Sequence, residues 1–146
     1  MVTFVVHPAI GRDALDQHDA SLPAVCSVSS DLTPDVLIEL KGSRRFILVI
    51  DAKRRLTETA MESAEVAEAG SKYVWGIRDA SGTHDGVVDE VVIASSAPPG
   101  AMHSELSKIR PVQTLPTATA DLDEAIRSAL ATVNIRKSAA ADGVQA

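Results

Sequence analysis

The sequence predicts a single α/β domain in which a sheet is flanked by helices. Its 146 residues are enough for one hydrophobic core, and 45% of them are hydrophobic. Only 3% are aromatic, so the core must consist mainly of Val, Ile, Leu and Ala, which suits a sheet covered by Ala-rich helices. Apolar runs typical of strands alternate with stretches of helical spacing. We predict one domain over residues 1–137 and a disordered tail over 138–146.

The first part of the chain predicts two short strands with a helix between them. Residues 2–6 and 24–29 are apolar runs typical of strands, and residues 12–20 have weak helical spacing. Pro8 and Gly11 separate the first strand from that helix because both residues interrupt regular structure.

A hairpin in the middle of the chain is the clearest local prediction. Residues 35–40 and 46–51 are rich in large aliphatic side chains, and residues 41–45 form a loop of ordinary hairpin length. Both strands are apolar on both faces, which is typical of strands near the centre of a covered sheet. If the hairpin turns about Ser43, then Asp35 lies opposite Asp51.

The second half predicts further helices and strands. One helix should run from an N-cap at Thr57 to a stop at Gly70. Residues 72–78, which include Tyr73 and Trp75 as core side chains, alternate like a strand, and residues 87–94 form another apolar run.

Two more helices are predicted before the tail. Residues 102–109 can form a short helix before Pro111. A longer helix begins at the capping-box pair Asp121 and Glu124, continues with apolar residues at helical spacing, and ends near Lys137.

The charges are unevenly distributed. A formal net charge of −6 argues against a protein that coats nucleic acid with its whole surface. The segment 41–55 is nevertheless strongly basic around Asp51, and a solvated loop is the alternative interpretation of it. As a DNA-binding patch it would hold the phosphate backbone without sequence choice. The residues that we predict for this role, besides Lys53, are Lys41, Arg44, Arg45, Arg54 and Arg55.

The cysteine content and the hydropathy indicate a cytoplasmic protein. The single cysteine, Cys26, cannot form an intramolecular disulfide or a zinc cluster of thiolates. No run of about 18 apolar residues occurs, so we expect no membrane segment.

The two opposed carboxylates predict a cation site. Side chains directly opposite on adjacent strands have Cβ atoms about 4.5 to 5.5 Å apart, so Asp35 and Asp51 would repel without positive charge nearby. Lys53 is two residues after Asp51 and therefore projects from the same face. Carboxylate oxygens suit Mg²⁺ or Mn²⁺, ions that keep several waters and also engage substrate phosphate. One such water can attack phosphorus.

The order of these features resembles a known nuclease signature. Pro-Asp at residues 34–35, an apolar strand, and Ile-Asp-Ala-Lys at residues 50–53 resemble the PD-(D/E)xK motif of restriction-endonuclease-like enzymes. The sequence is most similar to nuclease domains of modification-dependent restriction systems, and the resemblance covers the order of elements over residues 34–93. It implies a restriction-endonuclease-like fold, with a mixed central sheet flanked by helices.

The resemblance also implies roles for individual residues. It assigns metal binding to Asp35, Asp51 and the Ala52 carbonyl, and it assigns positioning of the attacking water or stabilisation of phosphate charge to Lys53. The implied activity is a metal-dependent DNA endonuclease that hydrolyses phosphodiester bonds, in restriction or phage defence. A homodimer or a larger protein subunit can supply the sequence preference.

One feature of the family is missing from this sequence. The first helix of the family commonly carries a Glu that completes the metal site, but no Glu precedes Glu39. Asp13, Asp16 or Asp19 can replace it, and roles as surface acids or helix caps explain them at least as well. The alternative is therefore an incomplete nuclease-fold module that binds DNA or a partner protein. A third hypothesis is a small α/β interaction domain with no site.

Overall fold

A computed structural model describes most of the chain. The described residues are 2–11, 25–27, 32–41, 45–53, 59–80, 87–101, 108–115 and 117–142, with side chains in the last range described as far as residue 131. The predicted helix over residues 12–20, with Asp13, Asp16 and Asp19, lies outside these ranges, as do the predicted DNA-binding residues Arg44, Arg54 and Arg55.

The described residues form a five-stranded sheet, a separate two-stranded sheet and two helices. In chain order, the elements are β1 (Val2–Val6), β2 (Val25–Ser27), β3 (Val36–Lys41), β4 (Arg45–Lys53), α1 (Ser63–Gly76), β5 (Ile77–Asp79), β6 (Glu90–Ser95), β7 (Ile109–Gln113) and α2 (Ala120–Asp142).

The five-stranded sheet is mixed, with the strand order β1-β3-β4-β6-β7. The β1/β3 and β3/β4 pairs are antiparallel, whereas the β4/β6 and β6/β7 pairs are parallel. Strands β2 and β5 pair separately and antiparallel. The predicted α/β class, with a mixed central sheet and helices, is confirmed.

The hairpin formed by β3 and β4 has the predicted register. Leu40 pairs with Phe46 and Val36 pairs with Ile50, which is the register that the sequence predicts. One further step along the same register sets Asp35 opposite Asp51. Strand β4 lies at the centre of the sheet, as its two apolar faces predicted.

Each face of the sheet supports its own hydrophobic cluster. Ile47 and Val49 of β4 belong to the cluster that contains buried residues of α1, and Leu48 and Ile50 belong to the cluster that contains Ala125 and Ala129 of α2. Alternate residues of a strand point to opposite faces, so β4 supplies both clusters. Each fully buried aliphatic side chain contributes roughly 1.5–3 kcal/mol.

Helix α1 corrects two predictions. The predicted stop at Gly70 is wrong because the helix runs from Ser63 to Gly76. The predicted strand over residues 72–78 is wrong as far as Gly76, and only its last two residues lie in a strand, β5. A Cβ on Gly70 would lie 2.6 Å from Ile109 Cγ2, so this glycine permits close approach of α1 to β7 instead of ending the helix. Trp75, predicted as core, is 70% exposed.

Strand β7 corrects a third prediction. The predicted helix over residues 102–109 lies mostly outside the described ranges, and its last residue, Ile109, begins β7 instead. The Thr114 N–H donates to the Ser95 carbonyl of β6 at 2.7 Å. Backbone N–H directions alternate along a strand, so the nitrogen of Pro111, three residues earlier, points away from β6. Proline is tolerated there because β7 is an edge strand and the missing N–H lies on the outer side.

Helix α2 is longer than predicted. It continues to Asp142, past the predicted domain end at residue 137 and into the segment that we predicted as a tail. Asp121 and Asp123 lie in its first turn, where negative charge interacts favourably with the helix dipole. In the described residues, no helix is long and apolar enough to cross a membrane.

Candidate functional site

The candidate site lies where β4 ends and β3 begins, on the face of the sheet that α1 covers. Asp51 of β4 is buried, and Asp35 immediately precedes β3 with its side chain 37% exposed. Side chains two residues apart on a strand point to the same face, so Asp35 shares a face with Leu37, and Asp51 shares it with Val49 and Ile47. These three aliphatic residues belong to the cluster beneath α1. The structure therefore brings the two predicted carboxylates to one end of one face.

A hydrogen bond from the backbone of β4 orients Asp35. Its Oδ2 accepts from the Ala52 N–H at 2.6 Å, a contact that fixes the carboxylate beside the peptide that joins Asp51 to Ala52. The N–H and C=O of one strand residue project toward the same neighbouring strand. The Ala52 carbonyl therefore projects to the side of β4 on which Asp35 lies.

Asp51 is in contact with Lys53. The Lys53 Nζ lies 2.5 Å from Asp51 Oδ2, and the lysine side chain is 38% exposed. Among the described residues, Asp51 Oδ2 is buried without a hydrogen bond of standard geometry. The contact is an ion pair in which the ammonium compensates the charge of the carboxylate. The predicted face with two acids and one lysine is thus present.

Tyr73 is a further member of the site. It is buried on α1, and its hydroxyl is hydrogen-bonded to the Asp51 carboxylate. Burial raises the pKa of Tyr73 far above its ordinary value, and the negative charge and hydrogen bond of Asp51 and the charge of Asp35 raise it further. Tyr73 therefore stays protonated and acts as a donor to Asp51. We predicted Tyr73 as a core residue, which is correct, but no sequence pattern indicated this bond.

His7 is a further neighbour of the site. Its Nδ1 lies 3.5 Å from Asp35 Oδ1, and its backbone N–H donates to the Asp35 carbonyl at 2.7 Å. The residue has a positive φ of 49°, which is uncommon for a residue with a side chain. The β1/β3 register that places His7 here could not be derived from the hairpin alone.

The predicted DNA-binding residues Lys41 and Arg45 lie elsewhere. Both form ion pairs with Glu39, whose side chain is fully buried: Lys41 Nζ is 3.3 Å from Glu39 Oε1, and Arg45 contacts Oε2. Arg45 is six residues before Asp51 on the same strand, about 20 Å away at the usual rise per residue. The basic segment is therefore divided between two ends of the hairpin, and only Lys53 of its described members accompanies the carboxylates.

The donor atoms at the site fit a hard divalent cation. Two carboxylates and one backbone carbonyl are oxygen ligands of the kind that Mg²⁺ and Mn²⁺ prefer, and buried Asp51 Oδ2 has an unused lone pair. Within the described ranges, no group of three or more His, Cys, Asp or Glu side chains could hold a metal ion. Any such ion would rely on the Ala52 carbonyl and on water for its remaining ligands.

Comparison with known proteins adds no relative. No protein-family model, no curated protein and no solved structure matches the chain. The geometry of the site is therefore the basis for proposing a function.

Proposed function

We propose that this protein is a metal-dependent nuclease of the PD-(D/E)xK type that hydrolyses phosphodiester bonds in DNA. The observation that carries the proposal is the placement of Asp35 and Asp51 at one end of one sheet face, beside the ammonium of Lys53. Two carboxylates that converge in a partly buried place are costly unless a cation compensates them.

Each side chain has a separate task in this proposal. Asp35, Asp51 and the Ala52 carbonyl would hold Mg²⁺ or Mn²⁺, and a bound ion supplies positive charge that polarises phosphate and lowers the pKa of water. Lys53 is partly exposed, so its ammonium can turn from Asp51 toward a phosphate oxygen. Tyr73 holds the Asp51 carboxylate in place from behind.

The order of elements also supports a restriction-endonuclease-like fold. Pro34 and Asp35 precede β3, Asp51 and Lys53 lie in the last three residues of β4, and α1 leads on to β6, which is parallel to β4. This is the sequence of elements that the motif resemblance implies over residues 34–93. A role in restriction or phage defence, alone or beside a larger subunit, belongs to the same proposal.

A second candidate function is a nuclease-fold module that binds DNA or a protein without cutting. One observation favours it: both carboxylates already have partners within the chain. Asp35 accepts a hydrogen bond from the Ala52 N–H, and Asp51 contacts the Lys53 ammonium and the Tyr73 hydroxyl. In this case Lys53 would permanently neutralise the site in place of a metal ion.

Plasmid cleavage distinguishes the two functions. Supercoiled DNA is incubated with the protein in Mg²⁺, Mn²⁺ or a chelator, and Asp51→Asn and Lys53→Met are compared with wild type. The matched controls are Asp123→Asn and Arg127→Gln, which change an exposed ion pair on α2, across the sheet from the site.

A nuclease should cut only with metal ions, and each site variant should lose about 100-fold or more of the rate while the controls keep it. Circular dichroism establishes that each variant is folded. Absence of cleavage in both metals, together with DNA binding that survives Asp51→Asn in a mobility-shift assay, would instead establish the binding module.

A further inference from the structure

Among the residues that the structure describes, strand β1 is an unpaired edge of the five-stranded sheet, and it has no charged side chain. It pairs with β3 on one side and is the last strand in the sheet order. Three apolar side chains on its outer face are mostly exposed, namely Val2 at 66%, Phe4 at 60% and Val6 at 55%. They continue the apolar face formed by Val36, Ile38 and Leu40, their partners in β3.

The backbone groups of the same three residues point outward. The His7 N–H donates to the Asp35 carbonyl, which marks a hydrogen-bonded pair between β1 and β3. Such pairs alternate along antiparallel strands, so Thr3 and Val5 bond to β3. Val2, Phe4 and Val6 therefore direct their N–H and C=O groups away from the sheet.

Edge strands of this kind are usually protected against pairing. Proteins protect them with charged side chains, proline or bulges. At the opposite edge, β7 contains Pro111, which faces outward, and Arg110. Strand β1, with the sequence Val-Thr-Phe-Val-Val, contains neither a charge nor a proline.

We propose that β1 pairs with β1 of a second copy of this chain, antiparallel and centred on Phe4, so that the two sheets become one. About a two-fold axis at Phe4, each Val2 lies opposite Val6 of the other copy and the two Phe4 residues lie opposite each other. Every outward N–H then meets an outward C=O, because these are hydrogen-bonded positions on both strands.

The charge of the chain is compatible with a second copy as the partner, and the size of the contact indicates its strength. Each chain has a formal net charge of −6, yet β1 has no charged side chain, so a second copy meets no like charge within the strand pair. Five residues form a small contact compared with the roughly 1,600 Å² of a standard interface. The dimer should therefore be weak and should depend on concentration.

Two double variants test the pairing and its register by sedimentation velocity over a concentration series. In Val2→Lys with Val6→Lys, each lysine of one copy lies opposite a lysine of the other. In Val2→Lys with Val6→Glu, each lysine lies opposite a glutamate. Both variants remove the same two valines, which are more than half exposed, so the monomer should fold in each case.

The wild type and the Lys/Glu variant should dimerise, and the dissociation constant of the Lys/Lys variant should be at least about tenfold larger than that of the Lys/Glu variant. The Lys/Lys variant adds two positive charges to an acidic chain, which lowers overall repulsion and acts against the expected difference. A wild type that stays monomeric at all concentrations overturns the proposal and leaves the edge to a strand of another protein. Equal association of the two variants overturns it as well, because the contact would then lie elsewhere or in another register.

Discussion

The hydroxyl of Tyr73 on α1 is hydrogen-bonded to the carboxylate of Asp51 on β4, and this bond connects the helix layer to the candidate site. Tyr73 is almost completely buried, whereas Lys53, the other partner of Asp51, is partly exposed. The carboxylate is therefore held on its buried side by a neutral donor and compensated on its open side by a cation.

Tyr73→Phe should destabilise the protein by about 2 kcal/mol, because a hydrogen bond to a charged group is lost while the ring remains. Urea unfolding gives the free energy of unfolding. A double-mutant cycle with Asp51→Asn isolates the pair, and we expect a coupling energy of at least about 1 kcal/mol. Additive effects of the two changes would show that the bond contributes nothing.

Stability should fall at high pH because the pKa of Tyr73 is raised in the folded state. An unfolded tyrosine loses its proton near pH 10, while folded Tyr73 keeps its proton, so ionisation favours unfolding above that pH. The contribution is fully present below about pH 10 and declines by up to about 1.4 kcal/mol per pH unit above it. Urea unfolding between pH 8 and pH 11 should show a smaller decline for Tyr73→Phe, and identical declines would contradict the shift.

Gly70→Ala should destabilise the protein although alanine is the better helix former. The new methyl group would meet Cγ1, Cγ2 and Cδ1 of Ile109 at less than 3.0 Å, and overpacking of this kind costs about 1–3 kcal/mol. The sign should reverse in an Ile109→Ala background, where the alanine can add up to about 1 kcal/mol through helix propensity. Thermal or urea unfolding measures both effects. Stabilisation in both backgrounds would mean that α1 does not approach β7 so closely.

Loss of Arg45 should cost more than loss of the acid that it contacts. Arg45→Met leaves the fully buried Glu39 with the ion pair to Lys41, whose side chain is 41% exposed. The buried carboxylate is then only partly compensated, and breaking a buried ion pair costs about 3 kcal/mol. Glu39→Gln leaves two partly exposed cations that water can solvate, so the expected cost is only about 1 kcal/mol. Urea unfolding of the two variants tests the order, and a smaller loss for Arg45→Met would mean that Arg45 does not stabilise the carboxylate.

The hairpin could be predicted from the sequence because its signals are local. Two apolar runs of similar length and a short polar loop determine the register, and the register places Asp35 opposite Asp51. By contrast, the sequence predicts a strand for the C-terminal part of α1, which contains Tyr73. Tyr, Val and Trp favour strands intrinsically, but burial of Val66, Tyr73 and Val74 against the sheet selects the helix.

The unpredicted parts of the site come from contacts between distant segments. His7 reaches Asp35 through the β1/β3 pairing, and Tyr73 reaches Asp51 because α1 crosses that face of the sheet. The distance of Lys41 and Arg45 from the carboxylates could nevertheless be predicted from strand geometry, because six residues of a strand span about 20 Å. Their closeness in sequence was a poor guide to a shared surface.

Pro111 has a consequence for how large an assembly can become. A strand that approached β7 would find no N–H at Pro111, so this edge is a poor template for further growth. If β1 pairs with β1 of a second copy as proposed, β7 forms both outer edges of the joined sheet, so addition of strands should end after that single pairing event. We would then expect a dimer and no filaments.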